Sequence, residues 1–254
     1  MAMWDQALLI TAVSLIFILA GFVKGVLGMG LPTVAIGILG LVIAPVEAAA
    51  MLVLPSLVTN IWQLVAGPSF RQLTKRFMTL LIGICLGTPI GVSFIVMGSV
   101  NLVSMGLGAV LAAYGLMGLL RPHYSVPALW EKWLSPMIGF ATGILMGATG
   151  ISALPAAPYF GALNLKREDM IQALGLSFTV SSLMLALGLL ASGTFRMEVA
   201  GSSMLALIPA FAGMFLGQWV RDKLPQEAFR RCFFGGLVVL GAYMAFRAWQ
   251  LLFG

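Results

Sequence analysis

Long apolar blocks, cut by short clusters of charge, set the pattern of this chain. Residues 77–120 contain no Asp, Glu, Lys or Arg, and neither do 133–165, 170–195, 199–220 or 232–246. A helix needs roughly 20 apolar residues to cross the core of a bilayer. Several of these blocks hold one such span and the first holds two. Strands of a membrane barrel would alternate over about ten residues; here whole blocks are apolar, so the pattern predicts helices. One buried helix of a soluble protein can imitate one block, but not a succession of them. The charged connections lie at 71–76, 121–132, 166–169, 196–198 and 221–231, with Arg247 near the end.

The pattern also repeats. GFVKGVLGMG begins at Gly21 and GFATGILMGATG at Gly139; Pro32 follows the first, Pro155 and Pro158 the second. GPSFR ends at Arg71 and SGTFR at Arg196. Gly87 and Gly91 stand four apart, as do Gly213 and Gly217. Because these landmarks keep one order, residues 1–122 and 133–254 read as duplicated membrane units joined by a cytoplasmic linker, 123–132. In this alignment the counterpart of Lys24 is Thr142.

Lys and Arg hold loops on the cytoplasmic side of a membrane. Placing 71–76, 121–132, 166–169 and 221–231 on that side gathers most of the 14 Lys and Arg residues there. The GPSFR loop then faces in and SGTFR faces out, so the halves are inverted relative to each other, a common transporter plan. A parallel arrangement stays open, because each loop carries little charge. With both ends on one side, 133–166 is too short for two straight spans and a turn, which need about 40 residues. Residues 136–163 therefore read as a hairpin of short or broken helices, interrupted at GATGISALP, and 6–46 as a similar one broken at LGMGLP. The expected fold class is an all-α polytopic membrane protein of two homologous halves, read as inverted repeats, each opening with a Gly/Pro-broken helical hairpin. About 8–10 membrane-embedded helical elements fit in the chain at this spacing.

Composition sharpens the picture. The 254 residues are 61% hydrophobic and 9% charged, with a mean hydropathy of +1.06. A soluble domain carries about 25% charged residues, so this chain cannot cover a water-facing surface and needs lipid as solvent. The start, MAMWDQALLI, lacks a basic region and a small-residue cleavage pattern, and reads as the first membrane element, not as a removed signal peptide. Cys85 and Cys232 sit in or beside apolar runs and read as packing residues. The net charge of +6 is explained by topology; no basic stripe with interleaved aromatics marks a nucleic-acid partner. His123, the only histidine, lies in the central linker, so no metal-ligand cluster appears and no Ser–His–Asp constellation can be assembled at membrane depth, and no Walker A motif is present. This argues against an intramembrane enzyme and against an ATP-driven pump by itself, and no cofactor is expected.

The chemistry that remains centres on the two Gly-rich breaks. Gly25, Gly28 and Gly30 precede Pro32; Gly143, Gly147 and Gly150 precede Pro155. Glycine lets the chain leave helical geometry and proline restarts a helix without wasting a donor. Non-helical backbone survives at membrane depth only when buried in protein or lining a wet cavity. A broken helix presents free N–H groups and a positive dipole end to an anion. The competing reading is close helix packing by small residues, which is favoured for a lone pair such as Gly87 and Gly91. Lys24, embedded in the first apolar run, is a candidate anion ligand, or a side chain that snorkels to an interface. Polar residues recur on the next helix: Ser56, Thr59, Asn60 and Gln63 in one half, Ser177, Thr179, Ser181 and Ser182 in the other. Ser56, Asn60 and Gln63 share a helical face. They suit a polar solute, or bonds to neighbouring helices. Thr149 and Ser152 stand inside the second break. Glu47, just after Pro45, suits a helix N-terminus.

These residues resemble the sulfite exporter TauE/SafE family, also called the toluene-sulfonate uptake permease family. GFVKGVLGMGLP, its echo GFATGILMGATGISALP, the length, the duplicated halves and the polar helix after each break carry the likeness. The resemblance implies a multi-pass protein of the bacterial inner membrane. It would move small organosulfur anions such as sulfite, sulfonates or sulfo-carboxylates by alternating access, coupled to an ion gradient. No residue pattern distinguishes proton from sodium as the coupling ion, and homo-oligomerisation stays open. The expected substrate-binding set is Lys24, Gly28, Gly30, Asn60, Gln63, Thr149, Gly150, Ser152, Ser177 and Ser181. The competing classes are a channel-like conductor of small anions and a non-transporting membrane scaffold. The expected partners are the small anion and the lipid bilayer.

Overall fold

The computed structural model describes residues 3–120, 125–194, 201, 203–221 and 223–253. Arg121, His123 and Arg196 lie outside them. Helix α1 (Met3–Leu27) ends where Gly28 turns to φ +77° and Gly30 to φ +107°, a region that a side chain resists. The Gly28 N–H donates to the Lys24 carbonyl and closes the last turn. Helix α2 (Leu31–Leu39) restarts with Pro32 in its first turn. Then come α3 (Pro45–Val65), a short α4 (Phe70–Arg76) carrying Arg71, Lys75 and Arg76, α5 (Met78–Met97) and α6 (Val100–Leu120). The second half runs through α7 (Ala128–Thr149), α8 (Ala156–Ala162), α9 (Arg167–Ala191), α10 (Leu207–Val220) and α11 (Gln226–Phe253). All regular structure among the described residues is helical. Among the described residues six helices are long and apolar enough to cross a membrane.

The breaks fall where the glycines and prolines place them, but the arms are unequal. The hairpin reading of 136–163 expects two short arms. Instead α7 has 22 residues, because it starts at Ala128, inside the stretch read as linker, and only α8, with seven, is short. The side chains are sorted for lipid. Leu86, Phe94 and Met97 stand outward and exposed, while Thr59, Asn60 and Gln172 are fully buried, the reverse of a water-soluble protein.

Two glycine seams hold the halves together. On α1 and α10, a methyl group at Gly21 would stand 2.1 Å from the Ala210 carbonyl oxygen, and one at Gly213 2.1 Å from that of Ile18. On α7 and α5, a methyl at Gly143 would meet the Ile84 oxygen at 2.5 Å, and one at Gly91 the Ile144 oxygen at 2.2 Å. Each seam joins a helix of one half to a helix of the other. Gly25, Gly143 and Gly147, grouped with the breaks on spacing alone, thus pack helix against helix, and Gly28, Gly30 and Gly150 make the turns. Gly87 and Gly91 pack, as their spacing favours.

These contacts also reset the register between halves. Gly21 and Gly25 face α10 as Gly143 and Gly147 face α5, and Gly28 ends α1 as Gly150 ends α7. Gly28 lies nearest Ile171, the fifth residue of α9, and Gly150 lies against Ala49, the fifth of α3. The counterpart of Lys24 is therefore Met146, one turn beyond the Thr142 that the sequence alignment offers. The matching GF dipeptides mislead because they lie a turn out of step with the seams. Helices α3 and α9 run antiparallel: Gln63, near the end of one, reaches Ile171 near the start of the other. So do α6 and α11, where Gly108 meets Ala245 and Gly118 meets Phe234.

Candidate functional site

Helix α3 contains Pro55, which has no N–H for the Met51 carbonyl. Ser203, just before α10, fills the gap: its hydroxyl donates to the Met51 oxygen at 2.7 Å and accepts from the Leu54 N–H at 3.3 Å. One turn on, the Thr59 hydroxyl donates to the Pro55 carbonyl at 2.6 Å, which turns its lone pair away from its own backbone. That lone pair accepts from the Lys24 ammonium at 3.1 Å. Lys24 also donates to Asn60 Oδ1, and the Asn60 amide donates to Ser182 Oγ at 3.2 Å. By the register above, Asn60 and Ser182 occupy equivalent places on α3 and α9, so this bond lies where the two halves meet.

Lys24 is 3% exposed, and its acceptors among the described residues, Thr59 and Asn60, are neutral. A buried ion costs several kcal/mol, and a hydrogen bond to a charged group returns about 1.5–3. Two neutral acceptors leave the ammonium short of a counter-charge, with one N–H still to place. A cavity of about 200 Å³ opens beside it, lined by Gly25, Gly28, Gln63, Gln218 and Arg221. Drug-sized pockets run to about 300–1,000 Å³, so this one suits a smaller solute. Arg221 also lines it, and among the described residues no carboxylate lines the space.

The expected site residues fall into three groups. Lys24, Gly28 and Gln63 line this cavity, and Asn60 stands behind Lys24 as its acceptor. Gln63 also donates to the Ile171 carbonyl at 2.8 Å, so it stitches α3 to α9 as well. Ser177 and Ser181, one turn apart on α9, are fully buried, and neither hydroxyl has a partner among the described residues; nor has that of the buried Ser56 on α3. Gly30 turns the first break against Val23 and Phe233. Thr149, Gly150 and Ser152 form the second break, buried against Ile36 and Ala49, and do not meet Lys24 in any direct bond. The Thr149 hydroxyl donates to the Leu145 carbonyl at 2.6 Å, a bond internal to α7. Glu47 is exposed in the first turn of α3, as its place after Pro45 suggests.

Five contributors escape the expected set. Thr59 and Ser182 carry the polar signal but not the glycine one. Gln218 and Arg221 reach the cavity only because the Gly213–Gly217 seam presses α10 onto α1. Gln172, fully buried, donates to the carbonyls of Leu64 and Gly67 and accepts from the Ser69 N–H at 2.8 Å, which caps the end of α3 from the other half. Among the described residues no three His, Cys, Asp or Glu side chains gather to hold a metal.

A family model described as sulfite exporter TauE/SafE matches residues 13–244, nearly the whole chain. No curated protein and no solved structure matches it.

Proposed function

Because this chain belongs to the sulfite exporter TauE/SafE family of multi-pass membrane transporters, which are not enzymes, we propose that it exports small organosulfur anions across the cell inner membrane. Sulfite, sulfonates and sulfo-carboxylates are the substrate class. One observation carries the reading: a buried ammonium, Lys24, beside a cavity that among the described residues has no carboxylate in its lining. A sulfur oxyanion supplies the missing charge and accepts the remaining N–H. The hydroxyls of Ser177 and Ser181, buried on α9 outside the lining of this cavity and unpartnered among the described residues, are the proposed donors to its other oxygens. Asn60 holds Lys24 in place, and Gln63 lines the way in. The turns at Gly28 and Gly30, and at Thr149, Gly150 and Ser152, leave backbone N–H groups near the ends of short helices, which favours negative charge.

Transport goes by alternating access, with 1–122 and 133–254 rocking as inverted repeats about the Asn60–Ser182 contact. The antiparallel packing of α3 on α9 and of α6 on α11 supports inversion, since corresponding helices then run in opposite directions. The cavity lies toward the ends of α3 and α10, where Gln63, Ala66, Gln218 and Arg221 line it, and the basic 71–76 segment follows α3 in the chain. By the positive-inside rule that end is cytoplasmic, and this conformation faces inward.

The test is a thermal-shift screen of the detergent-purified protein against sulfite, sulfate, short sulfonates, sulfo-carboxylates and matched carboxylates at constant ionic strength. A ligand at 100 times its Kd stabilises the folded state by about 2.7 kcal/mol. One sulfur oxyanion is expected to raise the melting temperature where its carboxylate match does not. A flat response across the panel would remove the substrate class, leaving family membership intact.

A further inference from the structure

A second crevice, of about 240 Å³, shares no lining residue with the cavity beside Lys24. It lies where the α2–α3 connection, the first turns of α6 and the last turns of α11 meet. Three side chains with hydrogen-bond donors line it: Asn101, Ser104 and Arg247. Arg247 donates one N–H to the Leu41 carbonyl at 3.2 Å. Its remaining N–H groups, the Asn101 amide and the Ser104 hydroxyl bond to nothing else among the described residues. Among the described residues no carboxylate lines the crevice. The start of α6 points its positive dipole end toward the same space.

The rest of the wall is apolar and open to the side. Val42 is 76% exposed and Leu251 64%. Depth follows from α11, where Phe246, Trp249 and Phe253 form an exposed aromatic row with ring centroids 6.4 and 6.3 Å apart. Such rows gather at the membrane–water interface, so Arg247 stands at headgroup level.

We propose that this crevice seats the phosphodiester of an anionic phospholipid, held by Arg247, Asn101 and Ser104, with its acyl chains on the outer faces of α6 and α11. An anion with no apolar part would leave Val42 and Leu251 uncovered; a lipid covers them with its own glycerol and chains, so apolar burial adds to the charge. A zwitterionic choline headgroup would bring a second cation beside Arg247 with no carboxylate to receive it. The bound lipid ties the α2–α3 connection to α11, and the proposal is independent of what the Lys24 site carries.

Native mass spectrometry of the detergent-purified full chain tests this, with phosphatidylglycerol, phosphatidylcholine and inorganic phosphate as probes. Wild-type protein is expected to retain one tightly held phosphatidylglycerol, to bind phosphatidylcholine more weakly, and to keep its lipid when inorganic phosphate is added. Arg247→Ala should weaken phosphatidylglycerol binding on the order of tenfold or more. Arg71→Ala, which removes an exposed cation on α4, should not. Unchanged binding in Arg247→Ala, an equal loss in Arg71→Ala, or displacement by inorganic phosphate overturns the proposal. If Arg247→Ala does not fold, the Asn101→Leu/Ser104→Ala double variant carries the test: several-fold weaker binding supports the site and unchanged binding removes it.

Discussion

At the end of α1 the chain leaves its helix through Gly28, and at the end of α7 through Gly150, both with left-handed φ angles. One turn earlier stand Lys24 in the first half and Met146 in the second, both buried. Fourteen residues into the next long helix stand Thr59 and Ser181. Thr59 receives the Lys24 ammonium, whereas the Ser181 hydroxyl has no partner. On the proposed reading of the halves as repeats, the orphan hydroxyl is what remains when methionine stands where the other half has lysine. The proposed repeat then sets two equivalent positions, and one side chain decides which carries charge and which offers a neutral donor. An anion bridging the two would meet both.

The largest effect should be the same in both halves. Gly21→Val and Gly143→Val each push a side chain into a backbone carbonyl that cannot yield, at a cost of about 3 kcal/mol or more. Thermal melting should show both losses, and a variant that melts like wild type would break the packing likeness. Next comes the difference between the halves. Lys24→Met copies the second half into the first. Half-saturation for sulfur-anion flux in proteoliposomes should rise on the order of a hundredfold, while stability holds or gains about 1 kcal/mol from losing a buried charge. An unchanged half-saturation would take Lys24 out of the site. The reciprocal Met146→Lys should cost about 2–3 kcal/mol without ligand and regain part of it when a sulfur anion is added; no recovery would mean that the second position never faces the anion.

Smaller effects separate the two hydroxyls. Thr59→Val removes a bonded group and should lower stability by about 1–2 kcal/mol, whereas Ser181→Ala removes an unbonded one and should cost under about 0.5 kcal/mol while still weakening anion binding. Equal stability losses would show that Ser181 has a partner in the empty protein. Smallest is Arg76→Gln. Arg76 on α4 donates two N–H groups to Glu131 on α7, at 2.7 and 2.8 Å, and this hydrogen bonding to Glu131 is the main cause that raises its pKa further. A raised pKa on a cation means that the contribution is complete below the guanidinium's ordinary range and is lost only above it, so melting across working pH should not register it. The pair is partly exposed, so the loss should be below about 1 kcal/mol and should shrink in high salt.

Much of this was legible from the chain alone. Apolar blocks with almost no internal charge can only be helices in lipid, because backbone polar groups have no water there and must bond within the segment. The places of the breaks followed from Gly28, Gly30, Gly150 and the prolines after them, since few other residues turn a chain that way. Lys24 and Asn60 were visible as polar groups where lipid allows few. What spacing could not decide was the use of each small residue. Gly143 and Gly147 read like parts of a break and turned out to be a seam, because a glycine that turns and a glycine that packs look the same until a neighbouring helix is present. The partner of Lys24 in the other half was also beyond the sequence: matching letters pointed to Thr142, while the seams, which feel carbonyl oxygens and not letters, set it at Met146. Gln218 and Arg221 joined the cavity for the same reason. Composition and periodicity are local properties and act within one helix; which side chains share a cavity depends on how closely two backbones approach, and only the packed tertiary structure decides that.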